Sequence, residues 1–111
     1  TPSRAAAGVV ARALTYVREA RVPHIGIVAN MDYHTCATCG AATPLFAAAD
    51  AGATAGHNDD EVWARLPFDP AAADATDRGA ALPADAPLTA AFHALASRVA
   101  REIAPAASVL P

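Results

Sequence analysis

The sequence predicts an α/β fold, two parallel strands with helices packed around them. Apolar residues recur at helical spacing near both ends of the chain, and between them lie two short runs with strand character. A helix, a tight turn and a continuous apolar run, in that order, make the second half of a β-α-β crossover, whose first strand is not in this chain.

Thr1 is placed to cap the first helix, and Pro2 suits its first position, where the missing N–H costs nothing. From Ser3 to Ala20, the residues Ala6, Val9, Val10, Ala13, Leu14 and Val17 share one face, and Arg4, Arg12, Arg18 and Glu19 fall mostly on the other. Val22 to Met31 reads VPHIGIVANM; its β-branched, unbroken apolar run is the pattern of a strand buried in a parallel sheet. Asp32 to Phe46 is polar and rich in turn residues, which predicts a loop. Ala47 to Gly56 fits a weak helix and a loop equally, and Asn58, Asp59 and Asp60 form a polar break. In Glu61 to Leu66, Val62, Ala64 and Leu66 alternate with Glu61, Trp63 and Arg65, a second strand ended by Pro67 and Pro70. Pro70 to Gly79 suits a short helix with Asp69 as cap and Gly79 as stop. After a Pro-punctuated loop, a last helix is expected from Pro87 to Ile103, with Leu88, Ala91, Phe92, Leu95, Val99 and Ile103 on one stripe. Residues 105–111 follow as a tail, which leaves a single unit over residues 1–104.

At 111 residues the chain holds at most one small domain, and Ala supplies much of its 54% hydrophobic content. A net charge of −3 without a basic cluster argues against nucleic acid or an anionic membrane surface as partner. No apolar run approaches the roughly 20 residues of a membrane-spanning helix. The chain opens Thr1-Pro2-Ser3-Arg4 with neither Met nor a signal peptide, the look of a piece from a longer protein. Two closely spaced cysteines without a secretory mark point to a reducing compartment, the cytoplasm by default, and to metal or redox chemistry.

Those cysteines lie in His34-Thr35-Cys36-Ala37-Thr38-Cys39-Gly40, a C-x-x-C loop. Two intervening residues let both sulfurs face one ion, and Gly40 permits a tight turn behind the second. Zinc and iron–sulfur centres usually take four protein ligands, so this pair is read as a half-site completed by a second copy of the chain. His34 could add a nitrogen ligand. A thioredoxin-like redox pair and a pair of plain free thiols are the competing readings; Gly40 to Pro44 does not make the helix start that the redox motif expects. His24, His57 and His93 have no partner at ligand spacing, Asp59 to Glu61 reads as a solvated acidic turn, and Trp63 as a core or interface aromatic.

The stretch VPHIGIVANMDYHTCATCG resembles the signature of the Mrp/ApbC branch of the MinD-like P-loop ATPases, a strand ending Glu-Asn-Met-Ser followed by Cys-x-x-Cys-Gly. The resemblance continues through Thr43-Pro44-Leu45-Phe46, Leu66-Pro67-Phe68-Asp69-Pro70, Asp77-Arg78-Gly79 and the last helix, and includes the opening Thr1-Pro2. It implies the C-terminal part of a P-loop NTPase parallel-sheet domain with flanking helices, in an ATP-dependent iron–sulfur cluster carrier. It further implies a homodimer whose two C-x-x-C loops hold one bridging 4Fe–4S cluster, with apo iron–sulfur proteins as recipients. Cys36 and Cys39 match the cluster ligands. Asn30 matches the position whose amide reads adenine, and Pro67 and Asp69 belong to the matching adenine-side loop; open parallel sheets bind ligands beyond the carboxyl ends of their strands.

The chain also departs from the pattern. Ala29 and Asp32 replace the Glu and Ser that flank Asn-Met in the family, and Ala47 to Asp60, with only Gly52 and Gly56, replaces a Gly-rich block and helix. No G-x-x-x-x-G-K-S/T is present, so no loop of amides and no Lys hold phosphates, and the chain alone is not expected to hydrolyse ATP. ATP and Mg²⁺ are therefore expected of a parent protein. The rival reading is a zinc-binding interaction module without a nucleotide role, bridging two chains through four cysteines.

Overall fold

The computed structural model describes residues 1–46 and 61–104. The chain runs α1 (Arg4–Glu19), β1 (Ile27–Thr35), β2 (Ala42–Pro44), β3 (Val62–Phe68), α2 (Pro70–Asp77) and α3 (Pro87–Ile103). The expectations for Ala47 to Asp60, His57 among them, and for the tail 105–111 lie outside the described residues. The strands form one sheet in the order β2-β1-β3. β1 and β3 are parallel, as the reading of two parallel strands expected; β2 is antiparallel to β1.

Ser3, not Thr1, caps α1. Its extended backbone lets the hydroxyl accept the Ala6 N–H at 3.3 Å, the third helical amide. At the other end Arg21 turns left-handed (φ 55°), its N–H meets the Arg18 carbonyl, and the Val22 N–H meets the Val17 carbonyl. These two bonds satisfy orphan carbonyls in the manner of a Schellman motif, with Arg where Gly is usual. Arg18 then ties α1 to the start of β3 through an ion pair with Glu61 at 2.6 Å.

β1 starts and ends later than Val22 to Met31. The left-handed Arg21 and Pro23 carry the turn, and strand pairing continues past Met31 to Thr35, through part of the expected loop. Nor is β1 buried throughout: Ala29 is 2% exposed but Val28 is 39% exposed. Among the described residues α3 packs on β3, and no helix covers β1 to the same extent. β3 runs through Pro67 to Phe68 instead of ending before it. A proline is tolerated there because β3 is an edge strand.

α2 and α3 match the sequence pattern. Asp69 caps α2 by accepting the Ala71 N–H at 3.0 Å, and Gly79, at φ +63°, stops it. α3 buries Leu88, while Phe92 and Ile103, on the expected apolar stripe, are 47% and 56% exposed. The core is correspondingly small: Leu14, Ala29, Val62, Leu66, Ala75, Ala86 and Leu88. Trp63 lies over Gly26, and the Arg98 guanidinium sits 5.8 Å from the centre of its ring while donating to the Val62 carbonyl at 3.1 Å.

Candidate metal centre

The cysteines sit at the tip of the β1–β2 hairpin. Its strands pair through Tyr33 with Pro44, His34 with Thr43, and Thr35 with Ala42. Two backbone bonds close the tip: the Cys36 N–H donates to the Ala41 carbonyl at 2.9 Å, and the Gly40 N–H to the Cys36 carbonyl at 2.8 Å. Gly40 has φ +73°, a conformation that costs a side-chain-bearing residue about 1–2 kcal/mol, so the glycine expected behind the second cysteine is needed there.

This turn aims backbone donors at a sulfur. The Cys39 N–H, then the Thr38 N–H, favour the Cys36 thiolate and hold this thiol below the usual cysteine range. The Cys39 side chain acts in the same direction, while the small desolvation at the site opposes it. Both sulfurs are within reach of solvent, Cys36 half-buried and Cys39 exposed. A thiol whose ionisation N–H donors favour, beside a second thiol, is a two-sulfur claw suited to a thiophilic metal. Among the described residues no three His, Cys, Asp or Glu side chains come together, so His34 does not join the cysteines in a three-ligand set.

Two clefts open beside the hairpin. One, about 440 Å³, runs from His34, Thr35 and Cys36 to Pro67, Phe68 and Asp69. The other, about 370 Å³, is lined by Asn30 and Met31 on β1, by Pro67 to Asp69, and by apolar side chains including Leu82, Leu88 and Phe92. The sequence-derived residues Asn30, Pro67 and Asp69 thus line one cleft together, and Cys36 lines the other with Pro67 and Asp69. Cys39 lines neither. Asp69 spends Oδ1 on the α2 cap, whereas its Oδ2 is buried without a hydrogen-bond partner.

Asn30 is not at the strand's end. From Ala29 to Tyr33 β1 advances four residues while β3 advances two, from Arg65 to Pro67, so β1 bulges at Asn30 to Asp32. Met31 takes up the bulge with φ 57°, and beyond it Arg65 holds Asp32 at 3.3 Å. The left-handed Met31 and the Asp32–Arg65 pair are site features that sequence reasoning missed; an unbranched residue in an apolar run carries no signal for a left-handed backbone.

The family model for the NUBPL iron-transfer P-loop NTPases matches residues 1–104. The cytosolic Fe-S cluster assembly factor Nubp1 homolog of Drosophila willistoni is 32% identical over 102 residues, covering 89% of this chain and 33% of that protein. The NUBP2 homolog of Trichoplax adhaerens, also a cytosolic Fe-S cluster assembly factor, is 34% identical over 70 residues, 63% of this chain and 26% of its own length. The iron-sulfur cluster carrier protein of Salmonella typhimurium is 28% identical over 103 residues, 90% of this chain and 28% of that protein. The chain spans about a quarter to a third of the length of the curated relatives it matches. No solved structure matches it significantly.

Proposed function

The chain belongs to the NUBPL-type iron-transfer P-loop NTPases, and on that footing we propose that it carries half of an iron–sulfur cluster site, as the C-terminal part of a MinD-like ATPase domain. The carrying observation is the hairpin tip, where two solvent-accessible thiols stand together and backbone N–H groups favour ionisation of Cys36. Iron–sulfur clusters take four thiolates, and one copy offers two. A second copy supplies the others, so a 4Fe–4S cargo bridges a homodimer through Cys36 and Cys39 of each chain. Exposure suits a carrier, because cargo that must leave is held at the surface, where an apo-protein's thiols can displace the ligands one at a time.

The second cleft is the nucleotide side of this reading. Asn30 offers an amide with both a donor and an acceptor, and Pro67, Leu88 and Phe92 offer apolar surface, a combination that fits an adenine ring. Phosphates and Mg²⁺ need a P-loop, which residues 1–104 lack, so ATP binding and hydrolysis are assigned to the parent protein. A cytoplasmic setting follows from the reduced thiols such a carrier requires; no helix among the described residues is long and apolar enough to cross a membrane.

Anaerobic reconstitution with ferrous iron and sulfide tests the proposal. A brown chain that elutes as a dimer, and that loses colour and dimer together in Cys36→Ser and Cys39→Ser, is the expected result. A colourless chain that retains zinc supports the interaction-module reading, and a dimer that survives both substitutions refutes the bridging site.

A further inference from the structure

Among the described residues no third His, Cys, Asp or Glu joins the two thiols at the hairpin tip. They stand three residues apart in a turn closed by the Cys36 N–H on the Ala41 carbonyl and the Gly40 N–H on the Cys36 carbonyl. A turn of this span brings its first and fourth Cα atoms within about 7 Å, close to the separation a disulfide bridges. Cys39 is exposed and Cys36 half-buried, so a small oxidant reaches either sulfur. The chain has two cysteines in all, so no other internal pairing exists.

We infer that Cys36 and Cys39 form a reversible intramolecular disulfide on exposure to a low-molecular-weight disulfide, and that this oxidised hairpin is closed to metal. The second clause rests on the metal-site reading above; the first does not. One cysteine sulfur attacks the oxidant, whose S–S bond breaks as a mixed disulfide forms and one small thiolate leaves with the cysteine's proton. The second cysteine then attacks the protein sulfur of that mixed disulfide, expelling the other small thiolate, which takes the second proton. Two protein thiols have lost two electrons and two protons, and the oxidant has become two thiols. Both sulfurs are then spent on each other and donate to no ion. The apo hairpin is thus a two-position device, open when reduced and locked when oxidised.

The test treats the full chain with oxidised glutathione, unfolds it, alkylates free thiols and reads the intact mass. The expected product is a monomer lighter by two hydrogens, inert to alkylation, and restored to two alkylatable thiols by dithiothreitol. Cys36→Ser and Cys39→Ser should each stop at a stable glutathione adduct, because the resolving sulfur is gone. Two alkylatable thiols after treatment, a persistent adduct on the unsubstituted chain, or disulfide-linked dimers would overturn the inference. Cobalt(II) alone then probes the closure: the reduced chain should show the thiolate-to-cobalt absorption and the oxidised chain should not. Thiolate-bound cobalt in the oxidised chain sinks the closure. A reduced chain that binds no cobalt sinks the metal-site reading, and with it the closure, while leaving the disulfide standing.

Discussion

The Trp63 ring lies so close over Gly26 that a Cβ built on the glycine falls 2.0 Å from it. This contact joins the turn leading into β1 to the start of β3, and both strands lead from there toward the clefts. Gly26→Ala forces the indole off its seat and should destabilise the chain by about 1–3 kcal/mol, the usual cost of overpacking. Urea unfolding followed by Trp63 fluorescence measures it, and a midpoint equal to the parent's would disprove the packing described.

Arg98 braces the same ring from α3, by its guanidinium over the indole and its bond to the Val62 carbonyl. Arg98→Met keeps the stem and removes these contacts together with the ion pair to Glu102, for an expected loss of about 1–2 kcal/mol. Arg98→Lys should recover only part of it, since an ammonium lacks the planar fork.

Arg21→Gly should stabilise the chain by up to about 1 kcal/mol, because glycine enters the left-handed region without the strain that arginine bears at φ 55°. Thermal unfolding reads the gain. A lower midpoint would mean that the α1 stop does not have this backbone.

Asp69 separates capping from ligand chemistry. Asp69→Ala loses the bond to the Ala71 N–H and should cost about 1 kcal/mol, whereas Asp69→Ser keeps a capping oxygen and drops the unpartnered Oδ2. Equal losses in the two variants would contradict the cap.

The pH dependence of thiol chemistry follows from the hairpin. N–H donors favour the Cys36 thiolate and lower its pKa, so in Cys39→Ser, which retains the Cys39 backbone N–H, alkylation of Cys36 should reach its plateau at lower pH than an unstructured cysteine peptide. Adding Thr38→Pro removes the Thr38 donor and should move the profile to higher pH. Coincident profiles for the two variants would exclude the bracing.

The parallel pairing of β1 with β3, the α2 cap at Asp69 and the full extent of α3 were legible, because each rests on a local pattern: a β-branched run, an Asp before Pro, an apolar stripe between prolines. β2 was not. Ala42 and Pro44 have little intrinsic strand preference, and with Thr43 they pair because the C-x-x-C turn reverses the chain onto β1. The bulge at Met31 was hidden for the same kind of reason, since it comes from fitting β1 against β3 and not from Met31 itself. At the candidate site, the cysteines and Asn30 were singled out from their neighbours in the chain. That Pro67 and Asp69 face both groups depends on where β3 ends, a tertiary fact. Pro67 misled outright: read as a strand breaker, it is an ordinary edge residue two places short of the α2 helix cap.

Pro67, Phe68 and Asp69 wall the clefts on either side of them. Any occupant of the room beside Cys36 and any occupant of the room beside Asn30 would rest against the same three residues.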